Sequence, residues 1–312
     1  MRPFRVAPLA IILPLTAACI PNGGVEPTTE AAPAEIVQPV RTAPSLAPST
    51  IPTLAPSAPA RPAVFTFDGE LEQGGWIRGQ VPGATVSARL GNMPLTLDDD
   101  GRFFAGFDRD AAPTTNLAAT LADGRTITSP LTIAPRDWNI ERVNVARRAG
   151  GASEAFLRRR RPELEAIGAA RANDTGSEGW RQSFVWPATG RISGRFGSQR
   201  IYRGEPGSYH SGLDIAGGQG TTYVAPADGV VTLAADDFSL EGRLLIIDHG
   251  QGLNSAFLHS SELFVREGQA VKQGQPLGRI GATGRATGPH LHWSIKWGDA
   301  RLDPLLFLPP MP

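Results

Sequence analysis

The side chains best suited to holding a metal or moving protons near neutral pH are five histidines, His210, His249, His259, His290 and His292, and all lie in the final third of the 312 residues. The single cysteine, Cys19, excludes an internal disulfide and any thiolate-cluster metal site. A metal centre here must therefore draw on imidazole and carboxylate ligands. In Tyr209-His210-Ser211-Gly212-Leu213-Asp214 a histidine and an aspartate stand four apart. On a straight strand they would be ~13 Å apart at ~3.3 Å per residue, too far for two ligands each ~2 Å from one ion. The chain must bend between them, and Gly212, lacking Cβ, is expected to permit the bend through a backbone conformation other residues avoid. In Gly288-Pro289-His290-Leu291-His292-Trp293 two histidines spaced by two share one face of a strand, while Leu291 points to the core. His259, in Leu258-His259, is a further strand-borne histidine. His249 precedes a glycine at a strand end, where a structural hydrogen-bonding role is expected.

Taken together, four blocks resemble the lysostaphin/LytM-type zinc endopeptidases that cut peptidoglycan peptides. They are His210-Ser211-Gly212-Leu213-Asp214-Ile215-Ala216, Ala225-Pro226-Ala227-Asp228-Gly229-Val230-Val231, Phe257-Leu258-His259, and Gly281-Ala282-Thr283-Gly284-Arg285-Ala286-Thr287-Gly288-Pro289-His290-Leu291-His292. The resemblance spans roughly residues 184–308. It implies that His210, Asp214 and His292 ligate one zinc ion, with His259 and His290 as catalytic histidines, and leaves open which of those two is the general base. Three nitrogen or oxygen ligands leave a fourth tetrahedral position for water, the pattern of a catalytic zinc site. No His-Glu-x-x-His helix motif is present, so the thermolysin arrangement is absent. Some LytM-type domains that have lost zinc ligands activate separate amidases, and an envelope regulator of that kind is the alternative reading; here every ligand position is filled. The run Val265-Arg266-Glu267-Gly268-Gln269-Ala270-Val271-Lys272-Gln273-Gly274-Gln275-Pro276-Leu277-Gly278 resembles the hybrid motif of biotinyl and lipoyl carriers. That β motif also recurs, duplicated, in the LytM-type fold, and a carrier would leave the histidines without a role.

The elements that must position these residues are short, glycine-punctuated strands, including Gly229-Val230-Val231-Thr232-Leu233, Arg243-Leu244-Leu245-Ile246-Ile247, Ser255-Ala256-Phe257-Leu258 and His290 to Lys296. With 36 glycines and 28 prolines, about a fifth of the chain, the composition favours turn-rich β structure over a helical bundle. The expected fold class is all-β: the resemblance implies a LytM-type catalytic domain over residues 182–312, preceded by a small β-sandwich expected at 64–135. Turn signals such as Pro82-Gly83, Gly91-Asn92, Asp100-Gly101 and Asp123-Gly124 mark the sandwich. A partly helical, arginine-rich connector occupies 136–181, with a helix expected near 162–172, Pro162 at its first position and the Arg158–Arg161 run as a solvated face or a clamp on a neighbour. Tyr209, Arg195, Phe196, Trp293 and Trp297 are expected to pack around the core more than to line a groove.

Thirty Lys and Arg balance thirty Asp and Glu, which removes the basic footprint of a nucleic-acid binder. Residues 1–18 read as a secretory signal, with Arg2 and Arg5 before an apolar run too short to span a bilayer. Leu15-Thr16-Ala17-Ala18-Cys19 resembles a bacterial lipobox, which implies cleavage before Cys19 and lipidation of its thiol, with Ile20 favouring the outer membrane. Residues 19–63, with ten prolines among Ala, Ser and Thr, cannot build a core and read as a tether. The expected protein is exported to the periplasm and held to a membrane by its N-terminal lipid. Its expected substrate is a peptidoglycan peptide.

Overall fold

The computed structural model describes residues 61–146 and 152–312, all within one compact unit, Pro56–Pro312. The signal segment, Cys19 and most of the tether lie outside the described residues, as do residues 147–151 of the connector.

The N-terminal region is two small antiparallel sheets. One joins β1 (Thr66–Gly69), β2 (Trp76–Gln80) and β5 (Arg102–Gly106); the other orders β4 (Met93–Pro94), β3 (Thr85–Leu90), β6 (Thr114–Leu121) and β7 (Thr126–Thr132). The Asp98–Gly101 turn leads into β5, and the Asp98 carboxylate accepts the backbone N–H groups of Asp100 and Arg102, so these acids serve the turn.

Strand β8 (Ile140–Val143) and helix α1 (Glu154–Ala172) follow. The helix starts eight residues before the expected position, because Ser153 caps it by accepting from the Phe156 N–H at 3.2 Å. Pro162 accordingly lies inside α1, where it removes one intrahelical donor. The helix is held from outside by the residues around that gap. Glu163, 6% exposed, accepts from Ser239 Oγ (2.6 Å) and the Ser239 N–H (2.8 Å), and pairs with Arg160 at 2.9 Å. Arg160 in turn makes two 2.6 Å hydrogen bonds to Glu241, and Arg159 bonds Asp237. Arg159 and Arg160 thus clamp the turn between β14 (Gly229–Phe238) and β15 (Gly242–Gly250), Arg158 faces Glu154 on its own helix, and Arg161 is exposed.

The C-terminal region centres on an eight-stranded sheet. Six of its strands, in the order β14, β15, β16 (Leu253–Leu258), β20 (Leu291–Trp297), β12 (Leu213–Ala216) and β9 (Arg191–Gly194), form its body. Strand β18 (Ala270–Val271) extends the β14 edge, and β21 (Ala300–Leu302) pairs with β20. Two smaller three-stranded groups complete the region: β11 (Glu205–Pro206), β10 (Gln199–Tyr202) and β8, and β13 (Thr222–Val224), β19 (Pro276–Arg279) and β17 (Glu262–Leu263). The connector therefore contributes a strand as well as a helix, since β8 runs parallel to β10.

On β20 the side chains alternate: Leu291, Trp293 and Ile295 are fully buried, while His292 and Lys296 are only partly covered. The buried face carries an aromatic series. Tyr223 stacks on Phe257 (5.4 Å), Phe257 on Trp293 (6.4 Å), Phe184 meets Trp293 (6.4 Å) and Phe307 (5.1 Å), and Phe307 stacks on Trp76 (5.2 Å). Trp76 belongs to β2, so the N-terminal sheets share one continuous core with the C-terminal region. The opposite face of the large sheet meets α1 through Ala170, Leu244, Ile246 and Ala256. Among the described residues, no helix is long and apolar enough to cross a membrane.

Candidate metal centre

Two strands of the large sheet carry expected ligands to one point, and a third ends beside them. Asp214 on β12 and His292 on β20 are direct partners in the antiparallel register, and Leu258, the residue before His259, is the partner of His292 on the other side. Pairing thus fixes the neighbourhood of three side chains that lie far apart in sequence. His210 arrives from the segment before β12, after the bend at Gly212.

That bend has a different cause from the one expected. Gly212 does not adopt a positive φ. A Cβ there would stand 2.5 Å from the Trp293 carbonyl oxygen and 2.7 Å from His292 Nε2. Glycine is required because the backbone passes directly against the Trp293 carbonyl and the His292 ring, leaving no room for a side chain. Gly194 plays the same part on the other side, where a Cβ would meet Asp214 Oδ2 at 2.3 Å. The sequence reading missed Gly194, since nothing in its local pattern reports on a neighbouring strand.

His210 Nε2 lies 3.0 Å from Asp214 Oδ1 and 3.1 Å from His292 Nδ1, and His292 Nδ1 lies 2.8 Å from Asp214 Oδ1. Three donor atoms packed this closely approach the ~3.3 Å edge of a tetrahedron with bonds of ~2.0–2.1 Å, so the donor set fits zinc in type and spacing. The outward nitrogen of His210, Nδ1, faces the Arg195 carbonyl at 3.1 Å, which directs the Nε2 lone pair inward. Burial opposes ionisation of Asp214, but hydrogen bonds and charge from His210 and His292 outweigh it and hold the carboxyl well below its ordinary range. Burial likewise depresses His292, with Asp214 acting against it, whereas at His210 the Asp214 hydrogen bond and charge overcome burial and raise it.

The other two candidate histidines adjoin this cluster. The rings of His259 and His290 have centroids 5.0 Å apart, those of His259 and His292 6.3 Å, and His290 Nε2 is 3.7 Å from Asp214 Oδ1. Each has its Nδ1 at 2.8 Å from a carbonyl oxygen, Thr283 for His259 and Gly288 for His290, which leaves Nε2 uncommitted on both. His259 occupies the left-handed region at φ +65°, unusual for a bulky residue. It is held there by donating its N–H to the Glu241 carbonyl (2.9 Å), on the turn clamped by α1, and by the Thr283 contact. Burial pushes the His259 imidazole below its usual value.

His249 is apart from this group: it is fully buried, with Nδ1 against the Asp228 carbonyl (2.7 Å) and Nε2 against Ser255 Oγ (2.8 Å). Trp293, Phe196 and Trp297 are packed in the interior, while Tyr209 and Arg195 line a cleft of about 1060 Å³ that reaches His210 and Asp214.

Residues 208–304 match the model of Peptidase family M23, and this stretch is a peptidase M23 domain. The chain is similar to a lipoprotein NlpD/LppB homolog of Pseudomonas aeruginosa, 39% identical over 131 residues, covering 42% of this chain and 40% of that one. It is also similar to the murein hydrolase activator NlpD of Salmonella dublin, 35% identical over 138 residues, covering 44% of this chain and 34% of that one. The matched stretch is thus less than half the length of either relative. A solved structure of a Pseudomonas aeruginosa protein assigned to peptidase M23 superposes with a TM-score of 0.58 at 29% identity, covering 76% of this chain and 95% of that one.

Proposed function

We propose that the protein is a zinc-dependent endopeptidase that hydrolyses peptide cross-links of bacterial peptidoglycan, exported to the periplasm and anchored to the outer membrane through lipid on Cys19. The convergence of His210, Asp214 and His292 within hydrogen-bonding distance of one another carries this reading. These three residues would hold the ion, with Asp214 supplying the negative charge and the two imidazoles neutral lone pairs. When bound, zinc supplies Lewis acidity, which makes water nucleophilic near neutral pH and polarises a carbonyl.

The chain's own contribution is position and proton transfer. His259 and His290 each keep Nδ1 at a backbone carbonyl, so Nε2 is the atom that takes a proton from the attacking water or donates to the oxygen that becomes negative. The depressed basicity of His259 keeps it neutral near pH 7, as a proton acceptor must be. The cleft beside His210 and Asp214 offers room for an extended peptide.

The names of the relatives support a second reading, in which the domain activates a separate murein hydrolase. The complete ligand set favours hydrolysis, because an activator needs no converging metal ligands. The test is zinc content and muropeptide profiles after digestion of purified sacculi, for the full chain in detergent and for His292→Ala. One zinc and conversion of cross-linked dimers to monomers in wild type alone support the endopeptidase. Stem peptides released from glycan would indicate an amidase. A zinc-free, inactive wild type that stimulates another hydrolase would establish the activator.

A further inference from the structure

A second cavity, of about 350 Å³, opens between α1 and the sheet, and its lining includes His292, Ser211, Arg171, Lys296 and Arg301. The large cleft reaches the candidate centre through His210 and Asp214, whereas this cavity reaches it through His292. The centre therefore stands between two recesses, one of them rich in cations.

The sheet register explains how the cations gather. Lys296 on β20 is the direct antiparallel partner of Arg301 on β21 and, on its other side, of Asn254 on β16. Arg171, from the last turn of α1, hydrogen-bonds the Asn254 side-chain oxygen. Three positive side chains therefore meet across adjacent positions of one sheet face, on the same alternation that exposes His292.

The acids nearby, Glu241 beside Arg171 and Asp299 and Asp108 beside Lys296, offset the positive charge only in part. Glu241 also lines the cavity, but both its oxygens are engaged by Arg160. Asp108 is committed to the Arg301 backbone N–H at 2.9 Å. Asp299 approaches Lys296 only to 3.8 Å and is fully exposed to solvent, where such a pair contributes little. Among the described residues, Arg171 and Arg301 form no ion pair with a carboxylate, and Arg171 is pushed down to about 10 by burial and by the charge of Arg301. Burial and Arg171 depress Lys296 as well. Arg301 is exposed, with its guanidinium over the Tyr209 ring, whereas Arg171 and Lys296 are partly desolvated and repel each other, so an anion entering the cavity gains most from those two.

We propose that this cavity is an anion subsite, in which Arg171, Lys296 and Arg301 receive a free carboxylate carried by the peptide substrate. The proposal rests on the hydrolase reading above and adds to it that the substrate is recognised as an acidic peptide. Lys296 lies four residues beyond His292 on β20, ~13 Å at ~3.3 Å per residue, and its side chain reaches part of the way back. The carboxylate accordingly sits about two to four residues of extended peptide from the scissile amide. Guanidinium groups favour a planar carboxylate, which they can bind through paired hydrogen bonds.

The test uses the zinc-loaded full chain in detergent and two cross-linked muropeptides of identical sequence, one with free side-chain and terminal carboxylates and one with these amidated. Both kcat/KM and binding, by fluorescence anisotropy, are measured for wild type, Lys296→Met, Arg171→Met and Lys296→Arg. Wild type is expected to favour the acid form by ~10-fold or more, the effect of one charge-assisted contact. The preference should fall to about 2-fold in the two Met variants and persist in Lys296→Arg, in which the charge survives. Equal treatment of the two peptides by wild type, or an undiminished preference in both Met variants, would overturn the subsite and leave the endopeptidase proposal standing. If no peptide is cleaved, the endopeptidase proposal fails by itself, and the binding ratios alone decide the subsite by the same criteria.

Discussion

Replacing Gly212 by alanine tests the logic of the candidate centre most directly, because it adds one methyl group and changes no ligand. The new Cβ would lie 2.5 Å from the Trp293 carbonyl oxygen, 2.7 Å from His292 Nε2 and 2.9 Å from His292 Cε1. Ordinary contact begins near 3.4 Å, so relief requires a shift of about 0.9 Å from the Trp293 carbonyl and about 0.7 Å from the His292 ring. Trp293 is fully buried, so the strand carrying the carbonyl has little freedom to yield, and the bend must give way, shifting His210 and Asp214 relative to the His292 ring. Zinc sites tolerate ligand shifts of roughly 0.2 Å, well short of this. Zinc affinity is expected to fall ~10–100-fold, as it does when ligand-orienting neighbours are lost, with a stability loss of ~1–3 kcal/mol from overpacking. Affinity is measured by competition with a chromophoric chelator, and stability by urea unfolding of the zinc-free protein. Wild-type zinc affinity in Gly212→Ala would refute the claim that close approach to His292 is what demands glycine there.

Other perturbations separate the candidate centre from its supports. Asp214→Asn removes the one carboxylate of the candidate cluster while keeping its shape, and on the proposed function zinc content after dialysis should drop from about one ion per chain to near none; retention of the ion would remove Asp214 from the proposed ligand set. Glu163→Gln leaves Arg160 and Ser239 short of a charged acceptor and should cost ~1–3 kcal/mol in denaturant unfolding at pH 7. Although burial opposes it, hydrogen bonds from Ser239 and Arg160 hold the Glu163 carboxyl below its ordinary value of 4.5. Its contribution is therefore complete above pH 4.5 and is lost as pH falls through the lower native value, so wild type and variant should converge in acid. His249 is depressed below 6.5 by burial, so its neutral form is the folded one and stability declines as pH falls below 6.5. The melting temperature of wild type should fall more steeply between pH 6.5 and 5 than that of His249→Gln; parallel slopes would remove His249 as the source.

Much of the candidate site was legible because its residue types are scarce. Five histidines in one third of the chain, two of them spaced by two and one four residues before an aspartate, leave few chemical interpretations, and the structure brings four of them together with Asp214. The strands were legible for a similar reason: alternation and glycine punctuation recur from residue 229 to 297, and the observed strands overlap the expected runs, although β14 continues to Phe238 and β20 begins at Leu291, leaving His290 just outside it. The helix was misplaced because Pro162 is a strong local signal for a helix start. The Ser153 cap and the clamp through Arg159, Arg160 and Glu163 to residues 237–241 outweigh it. A tertiary contact made about eighty positions away leaves no trace in a local propensity.

The sequence alone determined the chemistry available, imidazole and carboxylate without thiolate, together with the class of fold able to present it. Tertiary structure decided what distance in space controls: the register that sets Asp214 beside His292, the two glycines cleared for ligand side chains, and the left-handed backbone of His259. It also decided that Arg171, Lys296 and Arg301, from three separate elements, share one cavity. Residue identity is written locally in the chain, whereas proximity follows from strand pairing and packing, which the whole chain settles at once.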